Sequence, residues 1–106
     1  MAAKRGNPVW GWNVHPGETL REEFLKPMGI SVYELARRLH LTRSRVNDIV
    51  RERRAITADT ALRLARFFGT TPQLWMNMQA SYELRKAENL LGRKLNEIEP
   101  PKKRVA

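Results

Sequence analysis

The sequence predicts an all-α protein: five helices in a single domain, preceded by a short irregular arm and followed by a basic tail. Three observations predict it. Apolar residues recur at i, i+3, i+4 and i+7, as in Val32, Leu35, Ala36 and Leu39, or Ala61, Leu64, Ala65 and Phe68. Cap residues stand at the expected starts (Ser31, Thr42, Thr57, Thr71) and glycines at the expected stops (Gly29, Gly69, Gly92). The chain has 106 residues, enough for one modest core and too few for two. The arm is placed at residues 1–14, the helical domain at 15–91 and a flexible basic tail at 92–106.

Charge narrows the partners. Twenty Lys and Arg against eleven Asp and Glu give a formal charge of +9, which favours a polyanion such as nucleic acid or an anionic membrane surface. No apolar run reaches the ~18 residues a membrane span needs, and the first residues lack the apolar core of a secretory signal. Cysteine is absent, so there is no disulfide framework, which fits a reducing compartment. A cytoplasmic protein is the expectation.

The arm, Met1 to Val14, is rich in turn formers, and its two tryptophans, Trp10 and Trp12, would share one side of an extended segment. They either pack on the helical body or dock a partner. Pro16 opens the first helix, where its missing N–H is harmless. Leu20, Phe24 and Met28, with Leu25 beside them, give its apolar stripe, and Pro27 and Gly29 close it. Glu18, Glu22 and Glu23 make the one dense acidic face of the chain. That face is either simply solvated or a surface for a basic protein.

Ser31 and Glu34 have capping-box spacing at the start of the second helix. His40 and Leu41 make a turn, and Thr42 caps a third helix from about Arg43 to Arg51. Val46, Ile49 and Val50 face inward. Arg43, Ser44, Asn47 and Arg51 face outward, with Arg45 at the margin. A second helix of this kind, after a tight turn, is a helix-turn-helix laid out for the major groove of DNA. Arg pairs bidentately with guanine and Asn with adenine, while Ser and Thr add polar contacts with little bulk. Arg53 and Arg54 in the connector, with Arg38 and Arg51, are placed to grip phosphates, which supplies affinity and register, not sequence choice.

Thr57 caps the fourth helix and Gly69 ends it; Thr71 and Pro72 start a fifth that runs to about Leu91. Leu74, Trp75, Met78 and Tyr82 form the apolar side of the fifth helix. They read as core, as a dimer seam, or as some of each. Pro100 and Pro101 precede Lys102, Lys103 and Arg104, a basic tail suited to a non-specific grip on DNA.

The spacing of Ala36, His40, Val46 and Ile49 resembles the Cro/C1-type (Xre) helix-turn-helix proteins. Two flanking stretches, HPGETLREEFLKPMGIS at His15 to Ser31 and AITADTALRLARFFGTTPQLWMNMQ at Ala55 to Gln79, are similar to the HigA antitoxins of bacterial toxin–antitoxin modules. The resemblance covers about His15 to Glu88. It implies a lambda-repressor-like five-helix domain that dimerises, binds a palindromic operator and represses its own operon. It also implies binding of a HigB-like ribonuclease toxin. The family's recognition positions fall on Thr42, Arg43, Ser44, Arg45 and Asn47.

The chain departs from the family's pattern at three places. His40 replaces a common turn glycine, a strained choice if that residue takes φ > 0. Val32 stands where many relatives have a phosphate-contacting glutamine. Arg51-Glu52 replaces a common Asn-Gly, which predicts a slightly longer third helix.

A DNA-binding antitoxin and autorepressor is therefore the leading expectation, with a standalone Xre regulator as the alternative. Toxin contact is placed on Trp10, Trp12, Glu18, Glu22 and Glu23, since acidic charge steers a basic ribonuclease. An enzyme is not expected. His15 and His40 are the only histidines, in no metal-ligand spacing and beside no nucleophile pattern, and the glycines form no phosphate loop. No metal or cofactor is expected either. RNA binding lacks the aromatic stacking surface of single-strand readers.

Overall fold

The computed structural model describes residues 13–102, so Trp10 and Trp12 lie outside the described residues, as do Lys103 and Arg104. All regular structure among the described residues is helical. Helix α1 spans residues 16–28, α2 Val32–Leu39, α3 Arg43–Val50, α4 Ala58–Phe68 and α5 Pro72–Leu91. The first six residues of the expected tail, Gly92–Glu97, form a 3-10 helix.

The four hydroxyl caps behave as the sequence predicts, but the expected capping box is half-formed, because the Glu34 carboxylate turns to arginines and not back to the Ser31 N–H. The hydroxyls of Ser31, Thr42, Thr57 and Thr71 each accept a first-turn N–H, from Glu34, Arg45, Thr60 and Leu74 respectively. Each satisfies a backbone donor that the helix itself cannot pair. Glu34 turns its carboxylate to Arg37 at 2.8 Å and Arg38 at 3.4 Å. Arg37 holds that carboxyl below its ordinary range.

Helix α1 departs from the expected stripe. Leu20–Leu25 is a π-helical turn inside the helix, and the Lys26 N–H reaches back to the Arg21 carbonyl. That i→i+5 step brings Leu20 and Leu25 to one buried face. Met28, expected at the end of the stripe, is 56 % exposed. Pro27 sits within the last turn, Lys26–Met28, and does not end the helix. Its ring crowds the carbonyl four residues back and it has no N–H to give, so a widened turn directly before it relieves both.

The core joins all five helices. Leu20, Leu35, Val46, Ile49, Ile56, Leu64 and Trp75 are fully buried within it. Phe24 packs against Phe68 at 4.8 Å and Trp75 at 5.2 Å between ring centres. The connector after α3 is pinned by one buried polar group. Gln79 accepts the Ile56 N–H at 2.8 Å and donates to Glu83 at 2.8 Å, which meets the rule that buried polar atoms be paired.

Candidate nucleic-acid interface

Helix α3 buries Val46, Ile49 and Val50. At about 100° per residue, Ser44, Asp48 and Arg51 stand directly opposite those three. Arg43 and Asn47 flank them on one side and Arg45 on the other. Thr42, Arg43, Ser44 and Arg51 are exposed, and Arg45, Asn47 and Asp48 are half-buried. The expected reading residues therefore do gather on one accessible face. Asp48, which the sequence reading left out, stands at its middle.

Both ends of α3 are fastened by other helices. At the C-terminal end, Arg21 of α1 donates to the Val50 carbonyl and to the Glu52 carboxylate, the latter at 3.2 Å. Gly17 lies so close to α3 that a Cβ there would sit 1.8 Å from the Ile49 carbonyl oxygen. His15 caps α1 behind it, its Nδ1 accepting the Gly17 N–H at 2.8 Å. Its ring meets Tyr82 edge-on at 4.8 Å. Burial lowers the His15 pKa, in keeping with an Nδ1 that must stay unprotonated to accept.

The third helix is not lengthened as Arg51-Glu52 predicts. It ends at Val50, and Glu52 turns the chain at φ 64°. The Glu52 and Arg53 N–H groups then close on the Ile49 and Asp48 carbonyls at 2.9 and 2.8 Å. This is a glycine-type helix stop. The ion pair of Glu52 with Arg21 offsets the strain of a side chain there.

At the N-terminal end, Arg45 donates to Thr60 at 2.9 Å and faces Asp59 at 3.5 Å. Arg63 donates to Asp59 at 2.7 Å and to the Leu39 carbonyl at 2.7 Å. It thus satisfies the end of α2, and it depresses the Asp59 pKa. His40 makes the interhelix turn at φ 59°, the strained conformation that the missing glycine predicts. Arg21 and Arg63 are functional supports the sequence reading missed. Each acts across more than twenty residues of chain, where no local pattern shows it.

The arginines expected to grip phosphates separate into two groups. Arg53 and Arg54 lie beside the face, 3.9 and 3.8 Å from Asp48, the one acid of α3. Arg51 makes no ion pair among the described residues. Arg38 instead pairs with Glu34 and lies over the Phe67 ring at 5.1 Å, near the end of α2. Exposed Tyr33, also unforeseen, stacks under the Arg43 guanidinium at 5.4 Å.

The acidic face of α1 is not a free patch. Glu22 pairs with Arg21 and with Lys26, both at 3.0 Å, and these partners lower its pKa, Arg21 most. The apolar residues expected as a possible dimer seam mostly face inward. Trp75 is wholly buried and donates its indole N–H to Thr70 at 2.8 Å. Met78 and Tyr82 are half-buried. Of the four only Leu74 is exposed, at 38 %, so a seam on this side is ruled out for Trp75. Among the described residues no group of His, Cys, Asp or Glu could hold a metal, and no helix is long and apolar enough to cross a membrane.

A polar reading helix behind a tight turn, fastened at both ends, defines the helix-turn-helix class. Comparison with known proteins agrees: the helix-turn-helix family model matches residues 21–75. The solved structure of the Pseudomonas aeruginosa antitoxin HigA with the higBA promoter is 50 % identical, with TM-score 0.81. It covers 84 % of this chain and 98 % of its own. The structure of antitoxin GraA in complex with its operator is 42 % identical, with TM-score 0.81, over 94 % of this chain and 99 % of its own. Antitoxin HigA-1 of Vibrio cholerae is 33 % identical, covering 82 % of each chain. Virulence-associated protein I of Dichelobacter nodosus is 63 % identical over 71 % of this chain and 69 % of its own. The chain belongs to the helix-turn-helix family, among its HigA-type antitoxins.

Proposed function

We propose that this chain is a DNA-binding antitoxin of the bacterial cytoplasm. It represses transcription by binding a palindromic operator as a homodimer, and it neutralises a HigB-like ribonuclease toxin by direct protein contact. The observation that carries the reading is the outward face of α3, a polar and cationic surface held rigid from both ends. HigA and GraA relatives bound to promoter or operator DNA support it.

In this reading α3 enters the major groove. Arg43, Ser44, Arg45 and Asn47 address base edges, and Thr42 reaches phosphate or base with the hydroxyl proton its cap bond leaves over. Arg45 gives one N–H to Thr60, with Asp59 beside it at 3.5 Å, and has further donors to turn to the DNA. Arg51, Arg53 and Arg54 clamp phosphates. Arg53 and Arg54 exchange Asp48 for the backbone on binding. Two such helices in a dimer would lie about 34 Å apart, one turn of DNA. Nothing in this scheme is catalytic; the protein acts by occupancy.

Footprinting of the DNA upstream of the chain's own gene tests the reading, together with co-purification of the product of the adjacent reading frame. A two-fold symmetric footprint and a stable complex with a small ribonuclease are expected. A second reading is a transcriptional regulator with no toxin, in line with the name of one relative, the uncharacterized HTH-type transcriptional regulator YbaQ of Escherichia coli, 39 % identical over 74 residues. A symmetric footprint without any captured ribonuclease would select it.

A further inference from the structure

Two exposed side chains of the helix-turn-helix are not explained by the fold. Tyr33, in the first turn of α2, is 59 % accessible. It stands off the buried stripe of Leu35, Ala36 and Leu39, and a ring left in water forgoes the burial that an aromatic residue usually supplies. Arg43 opens α3 and is exposed as well. Among the described residues it makes no ion pair. Each of the two accounts for the other: the Arg43 guanidinium lies over the Tyr33 ring, 5.4 Å from its centre.

The arginines around the reading face are held in different ways. Arg45 commits an N–H to Thr60 at 2.9 Å, with Asp59 at 3.5 Å. Arg53 and Arg54 face Asp48 at 3.9 and 3.8 Å. Contacts of those kinds have to be shared with the DNA or exchanged for it. A ring face instead holds a cation through the quadrupole of its π system, without accepting a conventional hydrogen bond. The five donors of Arg43 stay in their planar fork, the shape that pairs with O6 and N7 of guanine. A long side chain loses much rotamer freedom when it is fixed in a complex. One already held near its bound position loses less.

The pair also sits where base reading is expected. The N-terminal residues of a recognition helix meet base edges, while the helix before it crosses the backbone. Tyr33 comes from the crossing helix and Arg43 from the start of the reading helix, so the contact joins the two at the groove. A cation–π contact is weak at an exposed site and strengthens when water is removed, as docking on DNA would do. It therefore contributes little to folding and more to the complex.

From the ring contact and the uncommitted donors we infer that Tyr33 is a positioning residue for base recognition: its ring presets the Arg43 guanidinium for the base pair that Arg43 reads. The inference rests on α3 being the reading helix. It adds a residue of α2 that acts through Arg43 and not through a base contact of its own.

The test titrates the full chain with the operator found by footprinting and with duplexes changed at one base pair at a time. Arg43→Ala identifies the pair that Arg43 reads, as the one whose change no longer matters. Tyr33→Leu should lower the preference at that pair by about threefold to thirtyfold, the span of a cation–π contact from exposed to desolvated. The other pairs, the salt slope and the melting temperature should stay as in the wild type. Tyr33→Phe keeps a ring and should keep the wild-type preference. On the Arg43→Ala background, Tyr33→Leu should change nothing further. Equal loss at every pair in Tyr33→Leu would overturn the inference. So would additive losses in the double variant, or a loss in Tyr33→Phe as large as in Tyr33→Leu, which would assign the hydroxyl a grip on phosphate. An Arg43→Ala chain that keeps every base preference would sink base reading by Arg43 and this inference with it. Loss of one preference in Arg43→Ala but not in Tyr33→Leu would sink this inference alone.

Discussion

Helices α3 and α5 each bury one side and expose the other, and their exposed sides are opposite in kind. On α3 the outward residues are arginines, small polar groups and one acid; on α5 they include Met76, Ala80, Leu84, Ala87 and Leu91 among polar and charged residues. The first surface suits a hydrated polyanion read by hydrogen bonds. The second offers apolar side chains that gain from leaving water. A helix's buried side explains why it folds where it does; its exposed side shows what it meets. The two also differ in support. The ends of α3 are tied by Arg21, Glu52, Thr60 and Arg63, whereas α5 is an almost fully exposed rod over its last half. A reading helix needs fixed geometry, while an associating helix gains order from its partner.

That contrast can be broken at Gly17. A side chain there must push the Ile49 carbonyl away, and backbone has little room to yield. Gly17→Val should destabilise the fold by about 3 kcal/mol or more, the scale of a severe overpacking change. It should also lower operator affinity more than self-association, both measured at a temperature where the variant remains folded. Equal losses would mean that α3 is not specifically seated by α1.

The contrast within the DNA face is next in size. Arg43→Ala should weaken operator binding by about 1–3 kcal/mol and relax one base position, whereas Arg53→Ala should weaken binding to every sequence and lower the salt slope by about one. Titration of operator and scrambled duplexes across salt separates them.

Two turn residues sharpen the account of how α3 is held. His40 and Glu52 both take positive φ. Only Glu52 has an ion pair to offset the strain. His40→Gly should therefore stabilise the chain by about 1 kcal/mol in urea unfolding, from relief of left-handed strain. Glu52→Gly should gain less, because Arg21 loses one of its two carboxylate partners.

The smallest expected effect is a pH dependence. Burial holds the folded pKa of His15 below its ordinary 6.5, so the unfolded chain binds more protons between those two values. Stability is then complete above about pH 6.5 and falls as pH drops toward the folded pKa. The lowered carboxyls of Glu22, Glu34 and Asp59 lose their contributions only as pH falls below their ordinary 4.5, 4.5 and 3.8. Midpoints of unfolding between pH 7 and 5.5 should decline in the wild type and decline less in His15→Asn.

Most of the frame was legible in the residues because caps and apolar periods are local. Ser31, Thr42, Thr57 and Thr71 cap where expected, and the strained His40 turn followed from one missing glycine. What escaped was long-range or backbone-determined. Arg21 reaches Val50, Arg63 reaches Leu39, and Gly17 touches Ile49; none of these leaves a periodic signal. The π turn before Pro27 shifted the α1 stripe by one residue and left Met28 outside. The apolar content of α5 was legible, but its division into two faces became clear only once Trp75, Met78 and Tyr82 were placed against the core.

The central claim is that the outward face of α3 reads sequence while the arginines beside it supply affinity. Fluorescence anisotropy of the wild type, Arg43→Ala and Arg53→Ala on the operator and on scrambled DNA tests it most directly. The wild type should prefer the operator by about a thousandfold or more. Arg43→Ala should lose much of that preference, and Arg53→Ala should keep the preference while binding both duplexes more weakly. Equal losses on both duplexes for both variants would contradict it.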